Sequence, residues 1–276
     1  MNVSGWTVAV IVLNMLIGVA IPVCLCVFLR RKFRCSLLSF FVGCGVMFLF
    51  ALVLEQIVHM IVLALPVGNA IRDNLWLYAL YGGLMAGLFE ETGRFVAMKF
   101  VLKKQRGNDY NALMYGAGHG GFEAFYILFF AMLNNLIYSL MINSGSAEAL
   151  LNGLDPVNQA AMREAFEALS TASPLLFLAA PVERLAAVTL QISLSVLVWN
   201  AVKGRGKIFW YPLAVALHFM VDAAAVLTNG YGVPVWGVEA IVWLITVLYV
   251  FLAVRVWKAD KNRRRQAKET GDTANA

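Results

Sequence analysis

Residues 6–34 read WTVAVIVLNMLIGVAIPVCLCVFLRRKFR, a run without a charged side chain from Trp6 to Leu29, closed by Arg30, Arg31, Lys32 and Arg34. A hydrocarbon core about 30 Å thick is crossed by roughly 20 apolar residues in a helix. Backbone polar groups left unpaired in lipid cost several kcal/mol, so such a run reads as a membrane helix. A cleavable signal peptide carries its basic residues before the apolar run; here they follow it. The pattern predicts a retained span with its N-terminus outside.

Six further segments repeat the pattern, giving seven expected spans: Trp6–Leu29, Leu37–Leu65, Leu75–Leu102, Tyr110–Ile142, Pro174–Val202, Phe209–Leu227 and Val235–Val256. Of the 22 Lys and Arg, 18 fall in Arg30–Arg34, Lys99–Arg106, Lys203–Lys207 and Arg255–Lys268, the segments that alternation places on the inner side. This bias predicts N-out, C-in, in the cell membrane. The 276 residues are 61% apolar and 14% charged, against about 25% charged in soluble domains. The net charge of +6 therefore reports topology, and a nucleic-acid partner is excluded in favour of the bilayer. The expected fold class is all-α, a polytopic helix bundle with one transmembrane domain over 1–257 and a mobile basic tail over 258–276. Within the connector at 143–173, Asp155-Pro156 is a helix start with Val157, Ala160, Ala161, Ala165 and Leu169 on one side, which predicts an amphipathic surface helix. The four cysteines, Cys24, Cys26, Cys35 and Cys44, read as packing residues; Cys24 and Cys26 point about 200° apart on a helix and cannot share a metal.

Against this background the ionisable residues inside the spans stand out. Each costs at least about 2.5 kcal/mol at membrane depth, so each is by default functional or paired. They are Glu55 and His59, then Glu90, Glu91 and Arg94, then His119 and Glu123, then Glu183 and Arg184, then His218 and Asp222. Glu55/His59, Glu90/Arg94, His119/Glu123 and His218/Asp222 are i,i+4 pairs, each on one helix face. Counted from the inner ends of their spans, Glu90, Glu91, Arg94, His119, Glu123, His218 and Asp222 meet about 15 Å deep. Glu55, His59, Glu183 and Arg184 fall in a layer nearer the outer face, read as a structural polar network.

Two imidazoles from different helices with a carboxylate suit Zn²⁺ with an open position for water. A further carboxylate, Glu90 or Glu91, is at the depth for a general base, and Arg94 can hold the one that does not react. Glu123 and Asp222 are either ligands or carboxylates that orient the imidazoles. The ordinary alternatives are a buried ion pair that sets helix register and core histidines bonded between helices. Two adjacent acids exceed what one pair needs, which favours chemistry.

Phe89-Glu90-Glu91-Thr92-Gly93-Arg94, Gly116-Ala117-Gly118-His119-Gly120-Gly121-Phe122-Glu123, Pro181-Val182-Glu183-Arg184 and His218-Phe219-Met220-Val221-Asp222 together resemble the YhfC family of intramembrane metalloproteases, distantly similar to the CAAX prenyl endopeptidases, their bacterial Abi relatives and the PrsW proteases. The resemblance runs from about Leu54 to Asp222 and includes Glu55 and His59. It implies a protease core in which Glu90 activates water, Glu91 and Arg94 hold the acidic motif, and His119 and His218, with Glu123 or Asp222, bind a metal or stabilise the oxyanion. Arg94 stands four residues after Glu90 where the CAAX type has five, and Asp222 replaces a His or Asn; both features look more like PrsW and YhfC. The wider group includes members argued to act as glutamate proteases, so the resemblance leaves both chemistries open. The implied function is cleavage of a membrane-embedded or membrane-proximal peptide with zinc as cofactor. A proton- or cation-coupled transporter and a non-catalytic scaffold are the competing classes; against the first, the chain has no inverted repeat.

Overall fold

The computed structural model describes residues 1–204 and 207–269, and positions 270–276 of the expected tail lie outside the described residues. Among the described residues ten helices follow one another, besides a short 3₁₀ turn at Lys103–Gln105: α1 Gly5–Phe33, α2 Leu37–Ala64, α3 Pro66–Asp73, α4 Leu75–Val96, α5 Tyr110–Ser144, α6 Ala147–Asn152, α7 Pro156–Thr171, α8 Pro174–Lys203, α9 Trp210–Gly230 and α10 Val235–Glu269. Among the described residues there is no strand, and the fold is an all-α polytopic bundle. Six of the helices, α1, α2, α5, α8, α9 and α10, are long and apolar enough to cross a membrane. The expected third span, here α4, is not one of the six, because Gly82, Gly83, Glu90 and Glu91 interrupt its apolar run. The last helix continues past Lys258 to Glu269, over part of the stretch expected as a tail.

Local chemistry sets the helix ends. Ser4 Oγ accepts from the Thr7 N–H at 3.0 Å, and Asn74 Oδ1 accepts from Trp76 and Leu77, each satisfying N–H groups that a helix start leaves unpaired. The predicted helix is α7, with Asp155 capping Val157 and Asn158 and Pro156 opening the first turn, but its buried face is not the expected one: Val157, Ala160, Ala161 and Ala165 are exposed, whereas Phe166 and Leu169 are buried, because the helix is rotated toward its aromatic. These two side chains pack with Val3, Ile11, Met132 and Ile142, so α7 covers α1 and α5. The Asn158 side chain and the capping N–H groups hold the exposed Asp155 carboxyl below its usual range.

The basic clusters gather at one end. Phe33 stacks on Tyr110 at 4.1 Å, Tyr110 meets Trp257 at 5.3 Å, Lys203 pairs with Asp109, and Lys207 pairs with Asp260 at 2.5 Å. These contacts join the ends of α1, α8 and α10 to the starts of α5 and α9.

The central helix is α8: 72% of its most apolar stretch is buried, against 22–33% in the other five candidate spans. Glycines bring its neighbours in. A Cβ at Gly83 would stand 2.7 Å from Phe219 O and one at Gly87 2.8 Å from Val215 O, so this small-xxx-small face lets α4 lie antiparallel against the backbone of α9. Gly116 and Gly120 do the same for α5 against α8, at Ile192 and Val188. Three segments, Met47–Glu55 in α2, Ala97–Val101 after α4 and Tyr126–Ala131 in α5, wind with i→i+5 bonds, a local widening that recurs near functional sites.

Candidate functional site

The glycine seams place acids, imidazoles and an amide from four helices at one level. From α4, Glu90 Oε2 lies 2.8 Å from His119 Nε2 of α5, 2.8 Å from Gln191 Nε2 of α8 and 3.9 Å from His218 Nε2 of α9. On the same imidazole of α9, Nδ1 meets Glu91 Oε1 at 2.9 Å, while Nε2 lies 3.5 Å from Asp222 Oδ2. Behind this group Arg94 pairs with Glu91 at 2.9 Å and donates to Gln191 Oε1. Arg94, Glu91 and His119 are wholly buried.

A cavity of about 100 Å³ opens beside Glu90 and His218, lined also by Glu123, Glu183, Arg184, Gln191, Asp222 and Thr246. Arg184 bridges Glu123 at 2.6 Å and Glu183 at 2.5 Å, and the second oxygen of Glu123 accepts from Gln191 Nε2 at 3.2 Å. Asp222 and Glu183 are the wettest members, with side chains 40% and 42% exposed. The cavity is thus carboxylate-rich, with one guanidinium on its wall.

Several expected pairings are rearranged. The i,i+4 geometry holds for Glu55/His59 at 3.1 Å and His218/Asp222 at 3.5 Å. Of the two acids within its reach Arg94 takes Glu91, three residues back, while His119 and Glu123 each turn to other helices. The expected second layer divides in two. Glu55 and His59 form a separate chain with Tyr81, whose hydroxyl is 2.9 Å from His59 Nδ1, whereas Glu183 and Arg184 line the cavity. Depth counted along straight helices misjudges this, because the i→i+5 segments and tilts displace residues along the bundle axis. Gln191, absent from the sequence reading, joins Glu90, Glu123 and Arg94. Its signal was an amide in the apolar middle of a helix, seven residues after Arg184 on the same face.

Zinc tests this donor set. Imidazole nitrogen and carboxylate oxygen are its ligands, with bonds near 2.0–2.2 Å that put neighbouring donors roughly 3.3 Å apart. The 3.5 Å from His218 Nε2 to Asp222 Oδ2 is close to that value, while Glu90 stands 2.8 Å from His119 and 3.9 Å from His218; among the described residues no three of these groups stand arranged to share an ion. By chemistry the set fits; in this arrangement its members bond to one another. The two imidazoles differ in support. A ligating histidine normally donates its other N–H to a carboxylate or carbonyl. His218 does so to Glu91, whereas His119 Nδ1 is buried without a partner. Both oxygens of Glu123 are occupied by Arg184 and Gln191, which favours an orienting over a ligating place for it.

Comparison with known proteins bears on these residues. The family model described as YhfC intramembrane metalloprotease matches residues 17–243. A protein of Bacillus subtilis (strain 168), described as "Uncharacterized membrane protein YhfC", is 38% identical over 256 residues, covering 92% of this chain and 97% of its own. No solved structure matches the chain.

Proposed function

Since the chain belongs to the YhfC intramembrane metalloprotease family, we propose that it is an endopeptidase that hydrolyses peptide bonds of membrane-embedded or membrane-proximal substrates at the Glu90–His119–His218 cluster. In this reading α4 is the seventh span, and the chain sits in the cell membrane with its N-terminus outside, as the basic clusters at one end support. The observation that carries the proposal is the held imidazole. His218 is fixed through Nδ1 by Glu91, itself paired with Arg94, and turns Nε2 toward Glu90 and Asp222 at the cavity. A buried ion pair that only set helix register would have no reason to orient a third group toward a cavity.

His218, His119 and Asp222 would hold the zinc, which when bound lowers the pKa of a ligated water toward 7. The remaining work falls to the chain's own groups. Glu90 Oε2, at the centre of the cluster, accepts the proton of the attacking water and returns it to the leaving amine. Gln191 Nε2, now shared by two carboxylates, is free to donate to the developing oxyanion once Glu90 is protonated. Glu91 and Arg94 keep His218 in one tautomer and one orientation. Arg184 holds Glu123 against Gln191 and keeps the amide aimed.

Cleavage of fluorogenic apolar peptides by detergent-purified protein tests the proposal. Glu90→Gln is expected to lower turnover about 10²- to 10⁴-fold, the range of a lost general base, while the variant still folds and inserts; unchanged turnover sinks it. Elemental analysis separately addresses the metal. One zinc equivalent in wild type, lost in His218→Ala and His119→Ala, is expected, and zinc retained in both variants rejects this ligand set.

A further inference from the structure

Away from the catalytic cluster, two hollows adjoin each other at the basic end. One, of about 300 Å³, is polar: Asp109, Asn200, Asp260 and Lys261 line it together with the rings of Trp199 and Trp257. The other, of about 350 Å³, is a groove between α5, α8 and α10. Tyr110 and Trp257 line both, and their rings lie 5.3 Å apart. This pair marks the boundary between a charged chamber and an apolar one, the place aromatic side chains take where a membrane meets water.

Two stripes in register make the groove. From Thr189 to Val196 on α8 and from Val250 to Trp257 on α10, the lining residues recur at i, i+3, i+4 and i+7, which puts each set on one helix face. Seven residues of helix rise about 10 Å. The polar chamber continues the same face of α8 to Asn200, so the two hollows together follow eleven residues from Thr189, or roughly 16 Å. One half of a hydrocarbon core about 30 Å thick has that depth.

Size and hydrogen bonding select the occupant. A volume of about 350 Å³ spread over that rise is a channel roughly 35 Å² in section, too slim for a helix about 10–12 Å across. The two hydroxyls of the groove are spent on their own helix, Thr189 on Leu185 O at 2.7 Å and Ser193 on Thr189 O at 2.8 Å. An extended peptide there would leave its backbone carbonyls unpaired, at several kcal/mol each, whereas a hydrocarbon chain needs no hydrogen bond. In the chamber, Asp109 is paired with Lys203 and Asp260 with Lys207. Counted with Lys261, three cations meet two carboxylates, which leaves one positive charge for an anion. The carboxylates and the Asn200 amide are also acceptors for hydroxyl donors.

We propose that the chamber and the groove together bind one glycerophospholipid with a singly anionic, hydroxyl-bearing headgroup, its phosphate at Lys261 and one acyl chain along the seam of α8 and α10. The phosphodiester supplies the negative charge that balances the chamber, and the headgroup hydroxyls meet its acceptors. The chain fills the groove through one leaflet and braces α5 and α8, the helices that carry His119 and Gln191. The site is independent of the peptidase reading, since nothing in it touches the catalytic cluster.

The test titrates delipidated, detergent-purified full-length protein with phosphatidylglycerol or with phosphatidylethanolamine of the same chains, counting bound lipids by native mass spectrometry. Wild type is expected to take its first phosphatidylglycerol about tenfold more tightly than its first phosphatidylethanolamine, the worth of one charge-assisted hydrogen bond. Lys261→Ala, at an exposed side chain, should bring that ratio toward one. Val250→Trp, which sets an indole in the groove from a half-buried position, should weaken the first binding of either lipid about tenfold; where this variant melts early, the ratio in Lys261→Ala decides. Equal affinities in wild type overturn the proposal, as does a preference that Lys261→Ala keeps or a first lipid that a folded Val250→Trp still binds unchanged. Glycerol 3-phosphate is added in competition: if it displaces the lipid at equal concentration, the chamber is a site for soluble phosphates and the lipid proposal falls.

Discussion

Two sets of carboxylates in this molecule are treated in opposite ways. At the basic end, Asp109 meets Lys203 and the indole N–H of Trp199, and Asp260 meets Lys207; each acid has its own cation, and the pairs tie helix ends together at the interface. Inside the bundle, Glu91, Glu123 and Glu183 divide two arginines, Glu90 and Asp222 lean on imidazoles, and Glu239 has an oxygen with nothing. The first set is balanced, one cation to each acid. The second is not, and that residue of negative charge is the physical reason to expect a cation such as zinc at the cavity.

The contrast can be broken by removing cations from each set. Arg94→Met leaves the buried Glu91 with His218 as its one remaining partner and is expected to cost about 3–5 kcal/mol, the range for breaking a buried pair, measured as loss of thermal stability in detergent. Adding Glu91→Gln to Arg94→Met should recover much of that stability without recovering cleavage; stability that stays lost would mean Arg94 acts mainly through packing. A smaller loss is expected from Gly87→Val. Its Cβ meets the Val215 carbonyl oxygen at 2.8 Å, so α4 and α9 must part, at about 1–3 kcal/mol, moving Glu90 from His218; zinc content and cleavage should fall with the melting temperature. Gln191→Leu should lower turnover roughly tenfold or more through the lost oxyanion donor with little change in KM, whereas a rise in KM alone would make the amide a substrate contact. The least effect is expected at the basic end, where Arg265→Ala opens an exposed pair with Glu269 and should cost about 0–1 kcal/mol, as solvated pairs do, and leave cleavage unaltered. A large loss there would erase the distinction between the two sets.

How much of this was legible in the sequence follows from what each residue looks like in apolar surroundings. Charged side chains in lipid-length helices are conspicuous, so Glu90, Glu91, Arg94, His119, His218 and Asp222 could be gathered by type and depth. Pairing was legible in part. Arg94 with Glu91 was one of the two pairings its spacing allowed, whereas Arg94 with Gln191 and Glu123 with Arg184 were not legible, because partners on other helices are set by helix packing, which periodicity along one chain does not report. Gln191 carries no charge and passed as interior polarity. Glu239 passed because its position near a helix start suggested water, while the packing of α10 against the bundle buries it. The span count was blurred by the very residues that make α4 interesting, since its acids and glycines lower its hydropathy.

The widened segment Met47–Glu55 has a consequence for chain length. A turn closed by i→i+5 bonds holds one residue more than an α turn, so it is how a helix absorbs an insertion without unwinding. Removing one residue there would restore α winding while the residues after it keep their facing, with His59 still turned to Tyr81 and, ahead of it, the contact of Gly43 with Tyr115 untouched. When relatives are aligned, a one-residue gap inside 47–55 would therefore mark chains that have lost the widening and can still keep the Glu55–His59–Tyr81 arrangement.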